Sequence, residues 1–534
     1  MKKKLFLVMI AVIMFVGIAN VYALTTNDET SSSDPNSYKI TDTATLTVQN
    51  VTESNPEAYF NAYKILDAYY NASTNVVSYE FTDDFQTFLD QSSSYQNFTV
   101  DDYFELTSGD ITSGSTITTS TADKLMSNYA TYIRTNDISG TLMTTNGTTR
   151  TATLEAGAYL VLPYTRFTSD LYAVMLGNLD VIASNGAWVV NNETIVAKKS
   201  DVSFTFNVGD ESDVFVESDI SGPLLSFSIG EKFPFELIGQ VPQFPTNAIN
   251  KTYTFVVLFT EEFNLESSLD SIVVKDGDTT LTTSPEGIVT NASGNRVATI
   301  SIESNPDNFN EKVLIVEFNT DYLTGQEVTI TGEASLTDQV LIGEYNNFSA
   351  SLLYSNDPYG NDVTNIWDDY LIYTFGLNIL KYDAADGTPT KLPLETPLAN
   401  AVFDIYSDKE LKNKVGTVTT GEDGVATFNG LKYGTYYLKE TKAPTGYQLL
   451  EDSIEVEVGY RDDVETYASA PPSFPLATAY APNRKIGLLP VTGSTGIILF
   501  TCIGVLIIGS GVGLLVYYKK KKKKEQNIEV IWCV

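Results

Sequence analysis

The sequence predicts an all-β protein made of sandwich-type domains arranged in a row. Strand-favouring residues are abundant, with 32 Tyr and 27 Phe among 534 residues, and aromatic and β-branched side chains fit a pleated, half-buried surface. Short runs that alternate polar with apolar residues are separated by Asn, Asp and Gly turns, which is the pattern of many short strands. The part of the chain between the expected terminal signals, residues 24–492, predicts about three domains at roughly 150 residues per domain.

The expected division of the chain has five parts. They are a signal peptide at 1–23, an N-terminal domain at 24–190, a middle domain at 191–365, a C-terminal domain at 373–485 and a terminal sorting segment at 489–524. The N-terminal region holds the clearest helix candidate, Thr121–Thr135, where Leu125, Tyr129, Tyr132 and Ile133 fall on one face.

Both ends of the chain carry membrane-directed signals. Lys2, Lys3 and Lys4 precede an apolar run, and small residues up to Ala23 offer a cleavage site for a signal peptidase. Near the other end, 497–518 is an uncharged stretch long enough to cross a bilayer as a helix. Lysines 519–524 follow it at once and should stay in the cytoplasm, which places the preceding chain outside the cell.

Composition excludes several functional classes. The formal net charge is −34, and phosphates would be repelled, so nucleic-acid binding is not expected. Histidine is absent, which removes Ser-His and Cys-His catalysis and histidine-ligated metal sites. Cys502 and Cys533 both follow residue 493, outside the predicted domains, so the exported domains have no disulfide. No cofactor and no metal are predicted.

One pentapeptide precedes the apolar stretch and the lysine cluster. Leu489, Pro490, Val491, Thr492 and Gly493 form a Leu-Pro-X-Thr-Gly sequence, and this arrangement resembles the cell-wall sorting signal of Gram-positive bacteria. The resemblance implies that a sortase cysteine attacks the Thr492 carbonyl, releases Gly493 and passes the acyl group to an amine. It also implies secretion and anchoring to peptidoglycan.

Three polar residues of the C-terminal domain stand where alternation calls for apolar ones. Lys381, Glu440 and Asn483 each share a strand face with apolar neighbours and should point inward. Burial favours a neutral amine and a neutral acid, so the lysine pKa should fall and the glutamate pKa should rise. Protonated Glu440 would polarise the Asn483 carbonyl, and Lys381 would attack it and expel ammonia. The alternative is a buried Lys–Glu ion pair with a hydrogen-bonded asparagine.

A family resemblance adds to this reading. The segment 437–447, Tyr-Leu-Lys-Glu-Thr-Lys-Ala-Pro-Thr-Gly-Tyr, resembles the E-box of Gram-positive pilins and collagen-adhesin B-type domains. The resemblance implies three tandem immunoglobulin-like or collagen-adhesin-type β-sandwich domains. It also implies that Glu440 catalyses an isopeptide bond between Lys381 and Asn483.

The middle domain resembles that of fimbrial shaft proteins more loosely. Its segment 354–358, Tyr-Ser-Asn-Asp-Pro, is similar to the asparagine-rich ending of that domain. The resemblance implies a second isopeptide bond from Lys198 to Asn356, with Asn347 as the alternative acceptor. The aspartate usual in the family is not evident, and Glu261 or Glu262 is expected to replace it.

Shaft pilins also present a lysine that accepts the next subunit. Alternation places Lys198 on the face of Val202 and Phe206, which favours burial, and turns Lys199 toward solvent. We therefore predict Lys199 as the pilus-linking lysine, with Lys198 as the alternative.

The predicted function is a structural one: the backbone subunit of a cell-wall-anchored pilus, joined covalently to its own copies. The expected partners are a sortase, minor pilins, peptidoglycan and ligands on a host surface. The alternative is a monomeric wall-anchored adhesin or a minor pilin at the tip or base. An anchored enzyme is disfavoured because histidine is absent and no convergent acid pair occurs outside the cross-link sites.

Overall fold

The structure is a computed structural model of the chain. It describes residues 22–23, 36–52, 58–108, 119–164, 170–184, 187–210, 213–215, 224–245, 247–305, 308–459, 474–486 and 495–529. Two compact units divide the chain, and the second begins at Phe375. The predicted signal peptide lies almost entirely outside the described residues.

The first part of the first unit combines strands with three helices. Its elements are β1 Tyr22–Ala23, β2 Ser37–Lys39, β3 Thr43–Gln49, β4 Tyr59–Asn71, β5 Val76–Phe81, α1 Asp83–Gln91, α2 Val100–Ser108, α3 Thr119–Thr135, β6 Thr141–Leu142, β7 Thr144–Asn146, β8 Thr149–Glu155, β9 Gly157–Tyr164, β10 Asp170–Tyr172, β11 Met175–Leu179, β12 Val181–Ser184, β13 Ala187–Val190, β14 Glu193–Val196 and β15 Lys199–Asp201.

Strands β4 and β9 form the centre of this part and are buried on both faces. Tyr159 and Val161 point into a core shared with β3 and β8, whereas Leu160 and Leu162 point into a second core under α1 and α3. Burial on both sides explains why β9 is a continuous apolar run rather than an alternating one. The predicted helix Thr121–Thr135 is confirmed as α3, but α1 and α2 were not expected.

The second part of the first unit is a large sandwich. Its elements are β16 Phe204–Val208, β17 Val214–Phe215, β18 Leu224–Ser226, β19 Lys232–Gln240, β20 Tyr253–Phe259, β21 Phe263–Leu265, a 3-10 turn Leu269–Ser271, β22 Val273–Asp276, β23 Thr279–Thr280, β24 Thr282–Thr283, β25 Ile288–Thr290, β26 Arg296–Ser304, β27 Lys312–Phe318, a 3-10 turn Thr320–Tyr322, β28 Glu327–Leu336, β29 Tyr345–Tyr354 and β30 Thr364–Tyr373. One sheet has the order β16-β19-β28-β22-β23 with β21 beside β28, and the other runs β17-β18-β30-β29-β20-β27-β26-β25-β24.

The N-terminal sheets continue past residue 190, where the sequence placed a boundary. Strand β14 pairs in parallel with β3, and β15 pairs antiparallel with β10. The chain therefore leaves the first part near Asp201 and enters the sandwich at Phe204.

A loop of the sandwich joins the two parts of this unit. Arg134 on α3 donates from Nε to Asp357 Oδ2 at 2.7 Å and from its guanidinium to the Pro163 carbonyl oxygen. Tyr359, two residues further on, is fully buried in the core formed by α1 and α3. The loop after β29 is thus packed into the helical side of the N-terminal sheets.

The second unit holds a smaller sandwich and a long helix. Its elements are β31 Phe375–Asp383, a 3-10 turn Ala384–Asp386, β32 Val402–Tyr406, β33 Lys414–Thr419, β34 Val425–Leu431, β35 Gly434–Lys442, β36 Ile454–Val458, β37 Ala477–Asn483 and α4 Thr495–Glu529. One sheet has the order β34-β31-β37 and the other β33-β32-β35-β36. The predicted all-β class with sandwich domains is confirmed, and α4 contains a stretch, Thr501–Lys523, long and apolar enough to cross a membrane.

Candidate functional site

The C-terminal sandwich brings Lys381, Glu440 and Asn483 together between its two sheets. Strand β31 carries Lys381 and pairs in parallel with β37, which carries Asn483 at its end. Strand β35 carries Glu440 and belongs to the facing sheet. The first and last strands of the domain are therefore neighbours, and the acid reaches them from the opposite side of the core.

Short contacts connect the three side chains. Lys381 Nζ lies 2.9 Å from Glu440 Oε1. The Asn483 amide nitrogen donates to Glu440 Oε1 at 3.0 Å and to Oε2 at 3.2 Å. The Leu450 N–H donates to Oε2 at 2.8 Å and fixes the carboxyl group. One oxygen of Glu440 thus contacts both the amine and the amide nitrogen.

This cluster is excluded from water. Lys381 is 0 % exposed, and Glu440 and Asn483 are each 1 % exposed. Burial lowers the pKa of Lys381, and the contact with Glu440 opposes that shift only in part. The Phe403 ring lies 5.3 Å from Nζ and closes one side of the site. Because its pKa is lowered, a larger fraction of Lys381 is the neutral, nucleophilic amine than for a lysine in water.

The inward orientation expected for all three residues is confirmed, but one contact differs. The expectation was that Glu440 polarises the carbonyl of Asn483. Instead, the carboxyl group contacts the amide nitrogen, and the buried Asn483 Oδ1 has no hydrogen-bond partner. The arrangement suits proton delivery to the departing nitrogen better than activation of the carbonyl oxygen.

A second polar cluster secures the end of β37, and the sequence analysis missed it. Asp383 Oδ2 lies 2.9 Å from Lys485 Nζ and accepts a hydrogen bond from the Tyr447 hydroxyl at 3.1 Å. The Ala385 N–H and Lys485 lower the pKa of Asp383. The Ile486 N–H also donates to the Gly446 carbonyl at 2.8 Å. The domain therefore holds the chain to within three residues of the sorting pentapeptide at Leu489.

Lys199, the predicted acceptor lysine, lies at the end of the N-terminal sheets. It is the first residue of β15, and its Nζ is 3.4 Å from Asp170 Oδ2 and 3.2 Å from Asp201 Oδ1. The same amine contacts the Thr52 hydroxyl. Its side chain is 25 % exposed, so the amine is held in place yet reachable from solvent.

A polar groove of about 530 Å³ opens beside this lysine. Residues 199–201 form one wall, and the segments 240–244 and 323–326 form the others.

The prediction that Lys198 is buried is wrong, because its side chain is exposed. The prediction counted inward and outward positions as if a single strand ran from Lys198 to Phe206. In the structure β14 ends at Val196, the Ala197 N–H donates to Gln49 and the Lys198 carbonyl accepts from Ala173. The chain changes its partner strand at this point, and the two-residue period is interrupted.

The residues predicted for a middle-domain bond are not brought together as expected. Asn356 is buried at 1 % exposure, whereas the alternative, Asn347, is exposed. Asn356 follows the end of β29 that pairs with the start of β20 at Tyr253, while Glu261 and Glu262 follow the other end of β20. Six strand residues separate those ends, about 20 Å at ~3.3 Å per residue, so neither glutamate can act on Asn356. Within the described part of the chain, Lys381 is the only buried lysine.

The sorting pentapeptide, residues 489–493, lies outside the described residues. Helix α4 begins two residues after it, at Thr495. Within the helix stretch Thr501–Lys523, the most apolar 18 residues are 0 % buried in the chain.

Comparison with protein-family models identifies two parts of the chain. Residues 379–470 match the SpaA model, described as a prealbumin-like fold domain, and residues 482–525 match the LPXTG cell wall anchor motif. The chain ends in a SpaA domain with an LPXTG anchor. The SpaA domain contains Lys381 and Glu440, and the anchor match includes Asn483 and the pentapeptide. The protein is a surface protein anchored to the cell wall, and α4 holds it in the membrane transiently before anchoring.

Relatives of known sequence and structure extend the likeness beyond the SpaA domain. The trypsin-resistant surface T6 protein of Streptococcus pyogenes serotype M6 is 27 % identical over 286 residues, which is 50 % of this chain and 48 % of that protein. The chain thus spans about half the length of this relative. The structure of the T6 backbone pilin matches with a TM-score of 0.59 and 20 % identity over 78 % of this chain and 80 % of that one. The full-length major pilin SpaD from Corynebacterium diphtheriae matches at 15 % identity, with a TM-score of 0.48, over 83 % and 98 % of the two chains. The T6 likeness shows a shared fold.

Proposed function

We propose that this protein is the shaft subunit of a covalently polymerised pilus anchored to the cell wall. The observation that carries the proposal is that one chain combines an acyl-donor motif at Thr492 with a fixed, partly exposed amine at Lys199. A sortase joins the Thr492 carbonyl of one copy to the lysine of the next, and a minor pilin or peptidoglycan receives the remaining Thr492 acyl group at one end of the polymer. The fold shared with a backbone pilin supports this role. The chain's part is structural, and the transfer chemistry belongs to the sortase.

The C-terminal domain forms an internal amide between Lys381 and Asn483. Glu440 takes a proton from Nζ through Oε1, and the free amine attacks the Asn483 side-chain carbon. Glu440 then delivers the proton to the amide nitrogen, whose bond to carbon breaks, and takes up the second Nζ proton. The products are one secondary amide and one ammonia, so atoms and charge balance. The 2.9 Å and 3.0 Å contacts of Oε1 support this relay.

This bond suits a shaft because of where it lies. It joins β31 to β37, the strand that leads directly to the sorting signal. Tension along a polymer enters each subunit near its C terminus and would otherwise pull β37 away from β31. A covalent link between these strands carries that load across the sandwich without unfolding it.

A second internal bond from Lys198 to Asn356 remains a proposal. The burial of Asn356 supports it, whereas the exposure of Lys198 requires a local rearrangement before reaction. Counting the ammonia lost from the mature protein tests it, because one loss assigns the chemistry to the C-terminal domain alone and two losses require a second bond.

Polymer formation tests the main proposal. Cells that express the full chain and a pilin-polymerising sortase should yield a ladder of oligomers that resists boiling in detergent. Lys199→Arg keeps the positive charge and should leave only monomer, while Lys198→Arg, the matched control at the adjacent position, should keep the ladder. A wall-anchored adhesin, which could bind ligands on a host surface, predicts monomers from all three chains, and that result would refute the shaft role.

A further inference from the structure

Asp170 is a buried carboxylate that contacts the proposed acceptor amine and has no part in the chemistry described so far. Its side chain is 7 % exposed, and its Oδ2 lies 3.4 Å from Lys199 Nζ. The Tyr172 hydroxyl donates to the same oxygen at 3.1 Å and accepts from the Thr52 N–H at 3.0 Å. Strand pairing sets this geometry, because Asp170 lies opposite Asp201 and Tyr172 lies opposite Lys199.

The environment of Lys199 opposes its reaction as a nucleophile. Burial lowers the pKa of Lys199, but the contacts with Asp201 and Asp170 outweigh burial and raise it above 10.5. At neutral pH the side chain is therefore an ammonium group with no lone pair to offer. Attack on an acyl group requires a proton acceptor that touches Nζ.

We propose that Asp170 is this proton acceptor and acts as the general base for acyl transfer to Lys199. The inference depends on the proposed function, since it assigns a role in the same transfer. Nζ forms a bond to the Thr492 carbonyl carbon while the carbon–sulfur bond of the sortase thioester breaks. Of the two protons that the ammonium loses, one passes to Asp170 and then to water, and the other leaves with the sortase sulfur as a thiol.

Two features favour Asp170 over Asp201 for this role. Asp170 is fixed by Tyr172 and shielded from water, whereas the Asp201 side chain is 67 % exposed. When an acyl-enzyme covers the lysine and excludes water, a buried ion pair loses stability relative to a neutral amine and a neutral acid. The proton then moves most readily to the carboxylate that is already desolvated.

Other titratable groups at this site do not interfere near neutral pH. Burial raises the pKa of Tyr172 and of Tyr354, a residue of β29 whose pKa the charge of Asp170 also raises. Both tyrosines remain neutral up to at least their ordinary pKa of 10.0. Between pH 6 and 9, the ratio of variant to parent rates, in which the titration of the sortase cancels, therefore reports on the surroundings of Lys199. General-base catalysis typically contributes ~10²–10⁴-fold to a rate.

The test measures acyl transfer to the full chain in detergent micelles, with Thr492→Ala in every sample so that the chain only accepts. A pilin-polymerising sortase supplies the acyl group from a fluorescent peptide containing Leu-Pro-Val-Thr-Gly. Asp170→Asn should slow labelling about 100-fold at pH 7, and the deficit should shrink as pH rises because hydroxide then removes the proton. Asp170→Glu should restore part of the rate. Asp338→Asn, which removes an exposed carboxylate of the sandwich, is the control and should stay within about 3-fold of the parent chain.

The contrary outcomes are distinct. Removing a carboxylate that only raises the lysine pKa would increase the amount of free amine, so equal or faster labelling of Asp170→Asn overturns the inference. A deficit that does not change with pH also overturns it, since that pattern indicates a misplaced or misfolded site. Labelling that persists in Lys199→Arg refutes the acceptor assignment itself. If labelling is lost in Lys199→Arg but kept in Asp170→Asn, the proposed function stands and only the role of Asp170 is removed.

Discussion

Replacing Glu440 with Gln isolates the proton-transfer step of the proposed internal amide. Glutamine keeps the size and hydrogen-bonding shape of the side chain but cannot relay a proton between Lys381 Nζ and the Asn483 nitrogen. Because all three groups are buried at 0–1 % exposure, water cannot replace the missing base. The variant should therefore fold with Lys381 and Asn483 unjoined.

The expected size of the effect follows from the position of the bond. Joining residues 381 and 483 closes a loop of about 100 residues, and chain-entropy estimates for a cross-link of that length give about 4.7 kcal/mol. For a domain of roughly 100 residues, each kcal/mol shifts Tm by about 4–8 °C. The C-terminal domain of Glu440→Gln should consequently melt at least about 20 °C below the parent domain.

Two measurements on the soluble region 24–492 check this prediction. Intact mass spectrometry should find Glu440→Gln heavier than the parent by one ammonia, after correction for the substitution, and calorimetry should give the Tm difference. Glu455→Gln, on the exposed face of β36, is the matched control and should keep both the mass loss and the Tm. If Glu440→Gln still loses this ammonia, or if the parent loses none, the proposed relay is wrong.

Other perturbations test the remaining parts of the account. Arg134→Met leaves Asp357 buried without its cation and should destabilise the first unit by about 3 kcal/mol in urea unfolding, whereas Asp357→Asn should cost less than half as much. Burial raises the pKa of Asp357 despite the contact with Arg134, so the folded state binds the Asp357 proton more tightly than the unfolded state does. The stability that Asp357 contributes is therefore lost as pH rises through its folded pKa. The Tm difference between the parent and Asp357→Asn should decline over that interval. In Asn483→Ala no amide can form, so Lys381 stays a buried free amine whose pKa is lowered in the folded state. The unfolded state then binds more protons than the folded state, and the urea midpoint should rise with pH toward 10.5. A flat profile would contradict the burial of a free amine. Gly424→Ala should cost about 2 kcal/mol, because φ is +72° and the added Cβ would lie 2.6 Å from the Lys381 carbonyl oxygen; an unchanged Tm would show that the turn can relax.

The C-terminal site could be predicted from sequence because its strands are regular. In β31, β35 and β37 the two-residue period continues without interruption up to the polar residue, so inward orientation followed from counting alone. The contact partners within the site were less accessible. Whether Glu440 faces the oxygen or the nitrogen of Asn483 depends on how two sheets pack, which strand periodicity does not determine.

The errors elsewhere have physical causes of the same kind. Lys198 was misplaced because the chain changes partner strand at Ala197, and no residue type marks that change. Glu261 and Glu262 were expected to replace the family's aspartate, yet the extended strand β20 separates them from the end near Asn356. Strand-favouring aromatics concealed α1 and α2, which are short helices whose buried side chains share a core with residues of β4 and β9.

The contacts that sequence reasoning did not find are long-range ones. Arg134 and Asp357 are 223 residues apart, and Asp170 meets Lys199 only through the pairing of β10 with β15. An isolated aspartate carries no sequence signal for such a role. Its significance appears only when burial and a shared hydrogen-bond partner are known.

The most direct test of the central claim is peptide mapping of the polymer released from the cell wall. Digestion and tandem mass spectrometry should recover a branched peptide in which the Thr492 carbonyl is joined to Lys199 Nζ of another copy. Recovery of Thr492 only on peptidoglycan amines, with Lys199 unmodified throughout, would contradict the assignment of this chain as a pilus shaft.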